Sequence, residues 1–309
     1  MKLKELSFPV RAYWDLMPAP PVSFVDYMKI CEEIVGMKIL YLDLSDTEFP
    51  LSDACIRILE RLRGENIAVS LTVSGNCLAP SVIDLLSGFN LRALSIEVPS
   101  LDSLAFAAER ILECRKLPSI TSGARDKRKD FFGISFPVNK DNFRDLPEVV
   151  SICRENEITR LVFPMQRLHK GADCFSAETH ERQKLAERIS REDLQNMKLT
   201  IHDPFLWKAF YPAVEFPEGG CQAANSMIYI SSEGDVYPCP SLPLKFGSLG
   251  KDTLREMMSS SQKKRLRELL SCPPEVCHDC VEVNQCAGGC RGKAYALADS
   301  LSVPDPSCR

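Results

Sequence analysis

A chain of 309 residues has room for one barrel-sized domain and a small appended one. Its 45% hydrophobic and 26% charged residues describe an ordinary globular protein, and a formal charge of −4 excludes the basic footprint that nucleic acid demands. No apolar stretch approaches the roughly 20 residues that cross a bilayer. The start, Met1-Lys-Leu-Lys-Glu-Leu6, carries charge without the apolar core of a secretion signal, so a cytoplasmic protein free of membrane contact is expected.

From residue 8 to about 205, short β-branched or aromatic runs alternate with helical patterns. The expected strands are Arg11–Leu16, Ile39–Leu44, Ala68–Val73, Ala93–Val98, Phe132–Pro137, Arg160–Phe163 and Lys198–His202. Between them, Leu51, Ala54, Cys55, Ile58, Leu59 and Leu62 recur at helical steps and stop at Gly64. Leu101, Leu104, Ala105, Ala108, Ile111 and Leu112 repeat the pattern behind Ser100, a natural N-cap. Such alternation means parallel strands with crossover helices. The fold expected is α/β: a partial (β/α)6-type TIM barrel over residues 1–210, then a small cysteine-rich domain over 211–309 with a β-hairpin and helices.

Pro212–Pro217 reads as the linker between them. Ser226–Ser231 and Asp235–Tyr237, joined through Ser232-Glu233-Gly234, read as the hairpin. Leu254, Met257, Met258, Leu266, Leu269 and Leu270 mark one helix, and Arg291–Leu297 another. The basic runs Arg125–Lys129 and Lys263–Arg267 read as a solvated loop and a solvated helix face.

Eight of the fourteen cysteines lie from Cys221 onward. Cys221 is followed by Gly234 and Cys239, then by Cys277-x2-Cys280-x5-Cys286-x3-Cys290 and a lone Cys308. Thiolates packed so densely repel one another and oxidise unless a metal neutralises them. In a reducing compartment metal explains them better than disulfides. Three closely spaced thiolates wrap one iron–sulfur cube, and a fourth beyond a turn points elsewhere. By that logic Cys277, Cys280 and Cys286 serve one cluster, and Gly288-Gly289 turns Cys290 toward another. The hairpin brings Cys221 and Cys239 to Cys290, and Cys308 returns to complete the first-named set.

A structural zinc site is the competing reading, with Cys277 and Cys280 joined by His278 or Cys272. The five- and three-residue gaps that follow suit zinc poorly. Cys31, Cys55, Cys114 and Cys153 sit in apolar helical context and read as packing, while Cys77 and Cys174 fall in loops. His169, His180 and His202 are scattered and read as surface or strand-end residues, not as catalytic machinery.

The pattern Cys-x12-Gly-x4-Cys, Cys-x2-Cys-x5-Cys-x3-Cys, Cys resembles the SPASM domain appended to radical SAM enzymes that modify peptides and proteins. The Cys286-Ala-Gly-Gly-Cys290-Arg291 tail strengthens the resemblance. It implies two auxiliary 4Fe-4S clusters, one on Cys221, Cys239 and Cys290, the other on Cys277, Cys280, Cys286 and Cys308. Some members draw an eighth ligand from six residues before the motif, where this chain has Glu215. That ligand is therefore Glu215, Cys272, an exogenous group or none.

The first two-thirds of the chain resembles a degraded radical SAM barrel. Tyr13-Trp14-Asp15-Leu16 is similar to the family's first strand, but no Cys-x3-Cys-x2-Cys triad follows it anywhere. The three cysteine positions fall near Pro20, Phe24 and Tyr27, none of which binds iron. Where the family carries Gly-Gly-Glu-Pro for S-adenosylmethionine, this chain has Ser45-Asp46-Thr47-Glu48-Phe49-Pro50, and only the glutamate remains. The proline-rich Met17–Pro21 stiffens the old cluster loop. As a whole the chain resembles the SPASM-domain proteins of the GeoRSP system. That resemblance implies a pseudoenzyme that binds no S-adenosylmethionine. Its partners would be an intact radical SAM/SPASM enzyme and a peptide-chaperone-like protein or peptide substrate. The remaining alternatives are an enzyme using its auxiliary cluster and a metal-stapled interaction protein.

Overall fold

The structure, a computed structural model, describes residues 5–16, 26–121, 130–172, 174–192, 194–216 and 220–308. Its first two-thirds is a run of strands and helices in strict alternation. Strand β1 (Arg11–Asp15) leads to α1 (Tyr27–Gly36), β2 (Tyr41–Asp46) to α2 (Asp53–Leu62), and β3 (Ala68–Ser74) to α3 (Pro80–Ser87). Strand β4 (Leu91–Glu97) leads to α4 (Leu101–Cys114) and the short α5 (Pro118–Thr121), and β5 (Phe132–Ser135) to α6 (Leu146–Glu155). Then come β6 (Arg160–Phe163) with α7 (Thr179–Ile189) and β7 (Lys198–Ile201) with α8 (Pro204–Phe210). Adjacent strands from β1 to β7 pair in parallel, as short crossover connections require.

The repeat number differs from expectation. Seven parallel βα units are present where about six were expected, because Lys198–Ile201 and the Asp203-capped α8 form a complete last unit. Asp203 accepts the Phe205 and Leu206 amide protons, which starts α8 at Pro204. The sheet then continues into the hairpin expected beyond residue 211. Strand β8 (Met227–Ile230) pairs in parallel with β1, in the register Arg11↔Met227, and β9 (Asp235–Tyr237) and β10 (Gly247–Ser248) extend it antiparallel. The order is β10-β9-β8-β1-β2-β3-β4-β5-β6-β7, so the barrel stays open between β10 and β7.

Side chains alternate between the two faces of each strand. The outward set, including Trp14, Leu44, Leu71, Ile96 and Phe132, is almost wholly buried beneath the helices and forms one continuous core. Cys31, Cys55, Cys114 and Cys153 are buried there as packing, and Cys77 and Cys174 are buried too. The inward set is polar, with Tyr13, Asp15, Ser70, Thr72 and Ser95 facing a lumen where barrels usually stack branched aliphatics.

The C-terminal third holds α9 (Leu254–Ser259), α10 (Ser261–Ser271), α11 (Val283–Cys286) and α12 (Arg291–Ala298). The single helix expected over residues 254–270 is split, because Ser260 adopts an extended backbone and its side chain caps the Lys263 amide. The segment read as a linker is anchored: Phe216 is buried and stacks on Trp207 at 5.9 Å between centroids. The basic run 125–129 lies outside the described residues. The other, Lys263–Arg267, corrects the sequence reading: both end residues are buried, each 7% exposed. Lys263 donates to the Leu6 carbonyl, and Arg267 bonds Glu5, the Cys221 carbonyl and the Ala223 carbonyl at 2.7, 2.7 and 2.9 Å. Among the described residues no helix is long and apolar enough to cross a membrane.

Arg267→Ala leaves those two carbonyls without a donor and should cost about 2–4 kcal/mol, read as a lower midpoint in chemical denaturation. Arg267→Lys should recover only part of the loss, since one ammonium cannot reproduce the fork.

Candidate metal centre

Two local devices assemble the cysteines. The hairpin turn between β8 and β9 places Gly234 at φ +76, where a side chain would be strained. The Ala224 amide then bonds the Pro238 carbonyl at 2.9 Å, which lays the Cys221 strand beside Cys239. Further on, Cys277 ends a 3-10 turn, the Cys280 amide bonds its carbonyl, and α11 ends at Cys286. Ala287, Gly288 and Gly289 follow with φ of +50, +89 and +73, a sharp left-handed reversal that redirects Cys290. A Cβ on Gly288 would stand 2.5 Å from Pro274 Cδ, and one on Gly289 2.6 Å from Asp305 Cβ, so the turn demands glycine for space as well as conformation.

Asp305 closes the arrangement. Its carboxylate is wholly buried and accepts the Cys290 and Ser307 amide protons at 2.8 Å each, while the Cys308 amide bonds its carbonyl. The tail is thereby folded back onto the glycine turn. Lys293 of α12 pairs with Asp203 at the start of α8, tying this knot to the barrel.

The thiols fall into two electrostatic groups. Burial pushes the Cys239 thiol up to about 12, with Cys221 adding to the effect, and lifts Cys290 well above the usual range, with Asp305 and Cys239 contributing. Burial likewise raises Cys286 to about 11, assisted by Cys308 and Cys277, and raises Cys308, assisted by Cys277 and Cys280. Cys277 feels Cys280. These influences link Cys239 to Cys221 and Cys290, and link Cys286 and Cys308 to Cys277, with Cys280 acting on Cys277 and Cys308. Among the described residues no three metal-binding side chains converge closely enough to hold a single ion. Glu215 is exposed and accepts a bond from Gln285 at 3.0 Å, and Cys272 is exposed. Neither is drawn into the first group.

An apolar cavity of about 360 Å³ lies against Cys221, Cys239, Cys286 and Cys290, walled by Phe163, Met165 and Trp207. It shares Val138, Pro164, Met165, Gln166 and His202 with the barrel lumen, a polar cavity of about 440 Å³. At the upper end of the lumen Arg167 forks onto Asp15 at 2.9 and 2.8 Å, and the Tyr229 hydroxyl donates to the same carboxylate at 2.9 Å. His202 closes β7 beside Tyr13, and burial together with Arg11 and Arg167 brings its pKa down to about 4. His169 and His180 are exposed. Of the three positions expected to replace cluster ligands, Pro20 and Phe24 lie outside the described residues. Tyr27 opens α1 and packs against Trp14. Glu48 is exposed.

The family model for the SPASM iron–sulfur cluster-binding domain matches residues 221–281. An AdoMet-dependent heme synthase of Methanosarcina barkeri is 22% identical over 268 residues, covering 78% of this chain and 74% of its own. A PqqA peptide cyclase of Xanthomonas oryzae is 23% identical over 301 residues, covering 91% and 78%. Among solved structures, native anSMEcpe with bound AdoMet superposes with a TM-score of 0.67 at 16% identity over 96% of this chain and 94% of its own. Streptococcus suis SuiB gives 0.66 at 15%, over 98% and 78%. Residues 221–281 thus match a SPASM iron–sulfur cluster-binding domain, in a chain similar along most of its length to these proteins. Its SPASM match takes in Cys221, Cys239, Cys277 and Cys280, and Cys286, Cys290 and Cys308 follow the matched stretch.

Sequence reasoning missed Asp305, Lys293, Asp203 and Arg267. The only advance signal for Asp305 was its place between Pro304 and Pro306, two residues that commonly frame a turn.

A histidine held neutral in the lumen has a testable consequence. Its folded pKa lies below its unfolded value of about 6.5, so the unfolded chain binds the extra proton first as pH falls. Stability should be full above that value and decline toward pH 4, by about 1–2 kcal/mol between pH 7 and pH 5. Denaturation of His202→Gln should show a correspondingly flatter pH dependence over that window; an identical slope would assign the acid sensitivity elsewhere.

Proposed function

We propose that this chain is a radical SAM/SPASM superfamily member and a non-catalytic iron–sulfur protein holding two auxiliary 4Fe-4S clusters. It works beside an active radical SAM/SPASM enzyme that modifies peptides, passing single electrons or presenting a peptide. The observation that carries this reading is the left-handed reversal at residues 287–289 between Cys286 and Cys290, at the end of a cysteine run that the SPASM match enters. The donor set fits: all are thiols, the ligand type such clusters take. Cys221, Cys239 and Cys290 would hold one cluster, and Cys277, Cys280, Cys286 and Cys308 the other. A bound cluster supplies one-electron uptake and release at a potential set by its surroundings.

The barrel supports the non-catalytic part. No cysteine triad follows β1, and the residues after β2 lack the paired glycines that allow close backbone approach. Asp15, the last residue of β1, is already engaged by Arg167 and Tyr229. Polar side chains there satisfy one another. A peptide-chaperone-like protein is the second partner in this reading.

One observation favours a different reading. The cavity against Cys221, Cys239 and Cys290 adjoins the lumen, and the relatives' names are those of enzymes. On that reading peptide modification occurs in the cavity, beside the first cluster.

The two readings separate on adding S-adenosylmethionine and dithionite to the anaerobically purified chain. The non-catalytic reading expects no 5′-deoxyadenosine above the rate without protein, and sustained turnover by this chain alone would end it. The ligand groups are tested independently. Cys239→Ala and Cys280→Ala should each lose about half the iron and sulfide, and the spectra of the two remaining clusters should differ. Loss of all iron from both, or identical residual spectra, would contradict the grouping.

A further inference from the structure

Four cations are buried in the cysteine-rich end; Lys263 is held by the Leu6 carbonyl, and two of the other three have carboxylate partners. Arg267 has Glu5, and Lys293 has Asp203. Arg291 has none among the described residues. It follows Cys290 directly, opens α12 and is 2% exposed. One guanidinium nitrogen, Nη1, donates to the Cys272 carbonyl at 3.0 Å, while Nε is buried without a partner. The side chain is fixed in place, because its Cδ passes 3.7 Å from the Cβ position of Gly288, whose other side abuts Pro274.

A guanidinium does not discard its proton to escape burial. Left unpaired in a dry site, such a charge is strongly unfavourable, so a counter-charge is required. The negative groups that reach Arg291 are sulfur: Cys221 of the first group, Cys277 of the second, and Cys272. With every thiol protonated the cation has no anion at all. With thiolate-bound clusters in place it has an anion in each group.

We infer that Arg291 is a counter-cation shared by the two clusters, one that raises both reduction potentials and lets two anionic cubes occupy one small domain. The inference rests on the two-cluster reading above. Arg291 reacts with nothing. In each reduction one electron enters a cube from an external one-electron donor, no bond forms or breaks, and the fixed cation favours the more negative product. As a positioning and tuning residue it is distinct from Lys293, which is coupled to Cys290 of the first group alone.

The test is a dithionite titration of the full chain, purified without oxygen and followed by electron paramagnetic resonance. Cys239→Ala and Cys280→Ala assign the two signals. Arg291→Gln should make both clusters harder to reduce, each by about tenfold in its one-electron equilibrium, or about 59 mV. Arg291→Lys, which keeps the charge, should recover at least half of each shift. The inference is overturned if a fully loaded Gln variant moves one potential or neither, or if Lys shifts both as far as Gln does. Where the Gln variant loads poorly, the Lys variant decides. It must bind iron as the wild type does and hold both potentials within about threefold in equilibrium constant; failure on either count overturns the inference. Wild-type chain lacking sulfide would instead defeat the two-cluster reading itself.

Discussion

The wholly buried Asp305 carboxylate holds the two ends of the cysteine run together. One oxygen accepts the Cys290 amide proton and the other the Ser307 amide proton. Together with the Asp305 amide on the Gly288 carbonyl, that link folds the tail back onto the glycine turn. Burial raises the Asp305 pKa, and Lys293 opposes the rise. Lys293 in turn pairs with Asp203 at the start of α8, and the Arg182 side chain of α7 donates to the Ser307 carbonyl. Each of these bonds joins a barrel element to the cysteine-rich end. The parallel pairing of β8 with β1 makes the same join through the backbone.

The consequence is a continuous structure in which the lumen, the apolar cavity and the first cysteine group follow one another. The lumen is polar because inward strand positions carry Ser, Thr, Asp, Glu and Arg, and Asp15 is engaged there by Arg167. The next cavity is apolar because Phe163, Met165 and Trp207 line it. An apolar wall beside buried thiols lowers the local dielectric, so every charge near them acts more strongly than it would in water. Lys293 and Arg291 are therefore suited to act on the thiols electrostatically.

Much of this was legible in the residue pattern, for reasons that differ by region. Buried parallel strands are dense in β-branched and aromatic residues, so Arg160–Phe163 was bounded correctly and most other strands to within two residues. Cysteine spacing and the paired glycines are local signals, and they pointed to the SPASM match and to the reversal at residues 287–289. What remained hidden is non-local. Lys263 and Arg267 look like a solvated helix face until the N-terminal segment and the Cys221 loop are laid over them. The sheet's continuation into β8 depends on which strand β1 finds as its second neighbour, which no window of sequence contains. Asp305 and Asp203 gain their roles only when the tail and the barrel end meet.

Two iron–sulfur cubes on seven sulfurs, in a chain without the triad for a third, is the claim from which the rest follows. Mössbauer spectroscopy of chain produced with enriched iron and kept free of oxygen tests it most directly. The account predicts two 4Fe-4S components of equal weight, with about eight irons and eight sulfides per chain. Zinc without sulfide, or a third component of equal weight, would contradict it.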